Sequence, residues 1–258
     1  MKSDLFQEQE WPYDTLGRFG LTRDMLEDLP MSVIHSLNQG RRSPVLPLEY
    51  RMEDGTLVKL QSRFALVRDD NGEAKVMFYP KMEKTDLSLF NEAQQSQLTS
   101  GKPVFARFTD ADGNPQASFF QIDLPTNQVL SVPTPVIGNN LQTVTDRFHL
   151  STPELSCLRN GDLLTISVDD NPVTIGIDLN DECGVRIIAG DEDEWRQQSK
   201  REWDKYTFGI NGCWISDEDG NMRYVLEDDY DEELWNEQKK AGARTVAQHQ
   251  HKFYPNNP

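Results

Sequence analysis

Cysteine is scarce in this 258-residue chain, and the three that occur, Cys157, Cys183 and Cys213, form no CxxC pair. An odd number without close spacing indicates neither a disulfide framework nor a zinc ribbon. Long apolar runs are missing as well, since Asp, Gly or Pro interrupts each one well short of the roughly 18 residues that a membrane helix needs. The first ten residues carry acids and amides where a secretory signal has a basic start and an apolar stretch. We therefore expect a soluble cytoplasmic protein with no membrane role of its own.

Recognisable catalytic and metal-binding motifs are also absent. The sequence contains no nucleophile elbow, Walker loop, dinucleotide fingerprint or HExxH helix. Asp217–Asn221 alternates oxygen donors as a calcium loop does, but Gly220 comes too early and strands are predicted on both sides. His249 and His251 are only two donors, too few for a zinc site. We predict no metal and no cofactor, and catalysis by an unrecognised pair of carboxylates stays open as a hypothesis.

Negative charge is what the sequence has in excess, with a formal net charge of −17. Residues 1–145 hold 14 Lys and Arg against 19 Asp and Glu, which leaves 12 against 24 for residues 146–258. Such a surface repels phosphate and forgoes the counterion release that drives most nucleic-acid binding, so direct binding of DNA or RNA is disfavoured. A protein partner with a basic surface, or mimicry of nucleic acid, remains open. The oligomeric state does not follow from the sequence.

A recurring pattern predicts the fold. Residues 95–104 parallel residues 155–164, each with a leucine at a helix end, a glycine three positions later and then a strand. Glycine there takes the left-handed conformation that closes a helix. A similar segment, residues 34–40, lies about 60 residues upstream. Since two further apolar runs follow each first strand, we predict an α+β fold of repeated units, each a helix plus three antiparallel strands.

Composition and spacing suggest two domains. The first is an N-terminal α+β domain at residues 1–84, and the second spans residues 85–258. The second contains two related helix-β units, at about 85–135 and 141–190, and Pro133–Asn140 reads as the connector between them. We expect the chain to end in an aromatic-rich hairpin, a helix and a flexible tail.

Short apolar runs mark the strands of the terminal hairpin: Tyr206–Ile210, Cys213–Ile215 and Met222–Leu226. The helix after them is predicted to begin at Asp228 or Asp229, because acids favour a helix N-terminus. Gly242 is the predicted stop. From Thr245 onward the composition is typical of a frayed or disordered tail.

Aromatic residues concentrate in this same acidic region, and four of the five tryptophans lie between residues 195 and 235. Large rigid rings supply contact area while carboxylates select a basic partner. The alternative is that the rings form the core of the last hairpin and helix, since aromatic residues in strands mostly pack. The candidate partner-binding residues are Trp195, Trp203, Trp214, Tyr224, Tyr230 and Trp235.

Several segments of the sequence resemble two uncharacterised domains. The first resemblance rests on Pro12–Gly17, Leu21–Pro30, Ser43–Leu48 and Phe64–Asp69, and the second on Gln128–Gly138 and Lys200–Gly209. Together they are similar to proteins of unknown function carried on conjugative elements of gut Bacteroidetes. The resemblance implies a cytoplasmic bacterial protein linked to mobile DNA, with some relatives attached to DNA-processing enzymes. It implies no active-site residues.

Three functional hypotheses follow. The first is a non-enzymatic acidic module that binds a protein of the mobile-element transfer or DNA-processing machinery. The second is an acidic nucleic-acid mimic that inhibits a DNA-binding enzyme. The third is an enzyme with an unrecognised carboxylate site.

Overall fold

The computed structural model describes residues 5–109, 113–181, 183–198, 204–217 and 222–253, with the backbone alone for 198 and 243–253. These residues form eight α-helices and four three-stranded antiparallel sheets. The predicted α+β class is therefore confirmed. The chain divides into two compact units, one made of Met1–Phe78 and Trp203–Pro258 and the other of Tyr79–Glu202.

The N-terminal segment of the first unit places three short helices before a sheet. Its elements are α1 (Tyr13–Arg18), α2 (Arg23–Glu27), α3 (Met31–Asn38), β1 (Leu46–Arg51), β2 (Leu57–Arg68) and β3 (Ala74–Pro80), of which Tyr79 and Pro80 are already counted in the second unit. The long strand β2 lies between β1 and β3. Gly55 and Gly72 lie in the two hairpin turns with positive φ, as Asp-Gly and Asn-Gly signals predict.

The second unit contains two helix-plus-sheet arrangements in sequence. Its elements are α4 (Glu92–Thr99), β4 (Val104–Thr109), β5 (Pro115–Asp123), β6 (Gln128–Pro133), α5 (Thr134–Phe148), α6 (Thr152–Arg159), β7 (Leu164–Val168), β8 (Asn171–Ile177), β9 (Val185–Ala189) and α7 (Glu192–Gln198). The middle strands β5 and β8 supply most of the buried strand residues. Leucines and isoleucines of α5 and α6 pack on them.

The C-terminal segment of the first unit adds another sheet and a long helix. Its elements are β10 (Tyr206–Phe208), β11 (Gly212–Ser216), β12 (Met222–Leu226) and α8 (Glu232–Phe253). The strands pair in the order β10-β11-β12, which we call the C-terminal sheet. The aromatic hairpin and terminal helix predicted from the sequence are thus present.

The same pair of hydrogen bonds closes α3, α4 and α6. In each, a glycine N–H donates to the carbonyl three residues earlier, and the next N–H donates to the carbonyl five residues earlier. The glycines are Gly40, Gly101 and Gly161, with φ of +75°, +82° and +81°. The leucine three positions before each glycine is fully buried. This shared geometry, in which glycine avoids the strain of a side chain, confirms the predicted repeat.

Both segments of the first unit build its main core. Trp214 and Met222 of the C-terminal sheet lie in the same apolar cluster as Leu16 and Leu26 of the N-terminal helices. The Trp214 indole N–H donates to the Met25 carbonyl at 2.9 Å. The C-terminal sheet therefore packs with the N-terminal segment, and the compact units divide the chain differently from the sequence-based boundary at residue 84.

The expected connector Pro133–Asn140 is mostly helix, because α5 begins at Thr134. Pro135 occupies the first turn, where the missing N–H has no helical partner to lose. Ile137 and Leu141 are both fully buried, one turn apart on the same face. Core packing therefore stabilises a helix that the proline and glycine content argues against.

The terminal helix also differs from its prediction at both ends. Glu227–Asp229 forms a 3-10 turn, and Asp231 caps α8 by accepting a hydrogen bond from the Leu234 N–H at 2.9 Å. Gly242 does not end the helix, which continues to Phe253. A glycine inside a helix costs only about 1 kcal/mol, so the helix tolerates it. Of the predicted flexible tail, residues 245–253 are helical, and residues 254–258 lie outside the described residues.

Candidate functional site

One buried carboxylate fixes the turn between β10 and β11 to the end of α2. Asp28, the residue after α2, is 3 % exposed. Its oxygens accept hydrogen bonds from the N–H groups of Ile210 and Asn211 at 2.6 and 3.0 Å, and from the Tyr224 hydroxyl at 2.5 Å. Gly209 lies so close to this carboxylate that a Cβ there would overlap it. Asp28 therefore holds the C-terminal sheet in place.

Two of the predicted partner-binding residues, Trp214 and Tyr224, lie beside this carboxylate. Trp214 is fully buried, and the Tyr224 ring packs on it with 5.1 Å between the ring centroids. Burial raises the pKa of Tyr224, and its hydrogen bond to the Asp28 carboxylate raises it further. Trp214 has no surface to offer a partner, and the Tyr224 hydroxyl is engaged within the fold.

Trp195 belongs to α7 in the second unit and is buried there. Its ring lies against Gly176, and the Arg186 guanidinium stacks over it at 4.8 Å from the centroid. This cation–π contact and the burial give Trp195 a packing role. Trp203 lies outside the described residues.

The remaining two candidates, Tyr230 and Trp235, come together with two rings that the prediction did not include, Tyr206 and Phe208. Neighbouring centroids are 6.3 Å apart from Tyr206 to Phe208, 6.1 Å from Phe208 to Tyr230 and 5.2 Å from Tyr230 to Trp235. We call these four residues the ring row. Trp235 is 39 % exposed and the other three are half-buried, so the row presents aromatic surface to solvent.

Polar contacts orient the ring row. The Tyr206 hydroxyl donates to Glu233 at 2.8 Å, and the Lys205 ammonium lies 4.8 Å from the centroid of the same ring. Burial raises the pKa of Tyr230 above its usual range, and it raises the pKa of the underlying Cys213 thiol to about 11. Both groups stay protonated at neutral pH, so neither supplies a nucleophile here.

Acidic side chains border the ring row from the end of β12 into the first turn of α8. All six are exposed, and we call them the acidic strip: Glu227, Asp228, Asp229, Asp231, Glu232 and Glu233. Between Leu226 and Gln238 the sequence holds seven acids and no Lys or Arg. Part of this charge favours the helix N-terminus. The rest gives this surface a strongly negative potential.

Metal-binding side chains do not form a cluster in the part of the chain that the structure describes. No three His, Cys, Asp or Glu side chains in that part lie close enough together to hold a metal ion. The buried Asp123 accepts a hydrogen bond from the Thr126 hydroxyl at 2.6 Å within its own turn. Of the calcium-like loop, residues 218–221 lie outside the described residues, as do the side chains of His249 and His251.

Comparison with known proteins gives a family match for the N-terminal part of the chain. Residues 6–88 match the model of a family described as a protein of unknown function (DUF4099). The matched range holds α1 to α3 and the sheet β1-β2-β3, so the N-terminal part of the chain is an uncharacterised domain, as the resemblance indicates. No curated protein and no solved structure matches the chain.

The matched range also contains Asp28 and Met25, which bind the C-terminal sheet. No helix in the described part of the chain is both long and apolar enough to span a bilayer.

Proposed function

We propose that this protein is a non-enzymatic binding module whose C-terminal sheet and α8 bind a protein partner with a basic surface. The observation that carries the proposal is the ring row beside the acidic strip. Half-exposed Tyr and Trp are the residues that contribute most binding energy at protein interfaces. Carboxylates around them favour Lys and Arg on the partner and speed its approach.

The ring row also has the rigidity that a binding surface needs. Its half-buried rings pack on Cys213, Ile215 and Leu234, which are buried beneath them. The hydrogen bond from Tyr206 to Glu233 ties β10 to α8. Because these side chains are already ordered, a partner would lose little of its binding energy to fixing them.

We further propose that the protein acts in the bacterial cytoplasm, and that its partner belongs to the DNA-transfer or DNA-processing machinery of a mobile element. The support is the resemblance of several segments in both halves of the sequence to proteins of conjugative elements. The net charge of −17 favours a protein partner over the DNA itself.

Site-specific photo-crosslinking in cells that carry the element tests the proposal. A benzophenone side chain replaces Trp235 in one variant and Leu89, which is 85 % exposed in the other unit, in the control. We expect the first variant alone to crosslink a basic protein. Asp228→Lys combined with Asp229→Lys should abolish that product.

The matched charge control is Glu53→Lys combined with Glu83→Lys, two exposed acids that belong to neither the ring row nor the acidic strip. With these two changes, crosslinking from position 235 should be the same as without them. Equal crosslinking from positions 235 and 89 would refute the proposal. So would an undiminished product when Asp228→Lys and Asp229→Lys are combined. If the captured protein is a DNA-binding enzyme that loses activity on binding, nucleic-acid mimicry is the better description.

A further inference from the structure

The turn between β10 and β11 carries an apolar side chain where turn chemistry favours a polar one. Its sequence is Gly209-Ile210-Asn211-Gly212, and the Ile210 side chain is 86 % exposed. Gly, Asn and Asp suit such a turn because of their backbone preferences, whereas an exposed isoleucine contributes nothing to it. Exposure of a full isoleucine also forgoes the free energy that burial would provide.

The backbone beneath this side chain is held on every side. The Ile210 and Asn211 N–H groups donate to the buried Asp28 carboxylate. The Gly209 N–H donates to the Gly212 carbonyl at 2.8 Å, and the Asn211 carbonyl accepts from the Glu227 N–H at 3.0 Å. The turn is therefore rigid, while its apolar side chain is exposed to water. A rigid, exposed apolar side chain can bind a partner without first having to be ordered.

A second apolar side chain lies beside the turn. Leu226, 45 % exposed, is the β12 residue opposite Gly212 in the strand register. The acidic strip begins at the next residue, and the backbone hydrogen bond from Glu227 to Asn211 places its start directly beside the turn. An apolar centre with a charged border is the usual composition of a protein interface.

We infer that Ile210 and Leu226 form the apolar anchor of a docking surface for a protein segment that alternates apolar side chains with Lys or Arg. The occupant follows from charge complementarity, because the border is acidic and the centre is apolar. This inference rests on the proposed function and specifies the chemistry of the partner and the side chains that receive it.

Fluorescence anisotropy with the full-length protein tests the anchor. The probe is a labelled peptide that alternates lysine with leucine, and its two reference peptides alternate lysine with serine and glutamate with leucine. We expect the lysine–leucine peptide to bind most tightly. Ile210→Ser should weaken its binding about tenfold, as expected for the loss of one largely buried apolar side chain.

Leu89→Ser is the matched control, because Leu89 is 85 % exposed and lies in the other unit. It should leave binding unchanged, and urea denaturation should show the same stability for both variants. Equal binding of the lysine–leucine and lysine–serine peptides, or equal binding to the Ile210→Ser and Leu89→Ser variants, would overturn the anchor and leave the proposed acidic surface standing. Failure of both lysine peptides to bind would contradict the proposed function as well.

Discussion

Asp28→Asn keeps the size of the side chain at the joint between α2 and the C-terminal sheet but removes its charge and one acceptor oxygen. In the native protein Oδ2 accepts from the Tyr224 hydroxyl and the Asn211 N–H, at 2.5 and 3.0 Å. In the Asp28→Asn variant an NH₂ group would replace this oxygen. Because NH₂ is itself a donor, the Tyr224 hydroxyl and the Asn211 N–H would lose their acceptor. Each buried group left without its partner costs about 1–3 kcal/mol.

Tyr224 is only half-buried, so its hydroxyl can recover part of this loss by bonding to water, and we expect Asp28→Asn to cost about 2–4 kcal/mol. Asp28→Ala also leaves the Ile210 N–H unpaired and creates a cavity, so it should cost about 3–5 kcal/mol. Tyr224→Phe removes one hydrogen bond to a charged acceptor and should cost about 1.5–3 kcal/mol. The double variant should cost less than the sum of the single ones.

Urea denaturation of the full chain measures these differences, and hydrogen exchange assigns them to the joint. Because the chain has two compact units, the exchange rates of the Ile210 and Asn211 amides report on the relevant one. Asp24→Asn, an exposed change within α2, is the control and should cost less than about 1 kcal/mol. If Asp28→Asn matched Asp24→Asn and left both amides protected, the joint would not depend on this carboxylate.

Two further experiments test the packing. In urea denaturation, Gly161→Ala should destabilise the second unit more than Gly101→Ala. Both substitutions cost about 1–2 kcal/mol because alanine is strained at positive φ. Only at Gly161 would the added Cβ also overlap the Pro103 carbonyl. Equal losses would show that the Pro103 backbone moves away freely. With a colorimetric thiol reagent at mildly alkaline pH, the exposed Cys183 should react at once, while Cys213, buried and with a pKa of about 11, should react only as the protein unfolds. Rapid native reaction of both thiols would contradict that burial.

The features that the sequence predicted well are those that neighbouring residues determine. A leucine at the helix end and a glycine three positions later specify the closure of α3, α4 and α6, because the hydrogen bonds involved span only a few residues. The hairpin strands follow from alternation and turn residues in the same way. Helix α5 departs from its local composition, because buried Ile137 and Leu141 outweigh Pro135 and Gly138.

The candidate site was predictable only in outline. The density of rings and acids points to the region that holds the ring row, but one sequence does not distinguish the buried Trp214 from the exposed Trp235. Their difference arises from packing against helices about 190 residues earlier in the chain. The sequence predicts Ile210 as the end of the strand Tyr206–Ile210, whereas β10 ends at Phe208 and Ile210 lies in the turn that follows.

The position of Asp28 links the region of unknown function to the proposed binding surface. A carboxylate buried at the end of α2 would lack hydrogen-bond partners without the β10–β11 turn, and a buried charge without partners costs several kcal/mol. Trp214 likewise fills the core that Leu16 and Leu26 line. Residues 6–78 of the family-matched segment are therefore stabilised by the C-terminal sheet. Since the same sheet carries Tyr206 and Phe208 of the ring row, the proposed binding surface and most of the family-matched segment belong to one compact unit.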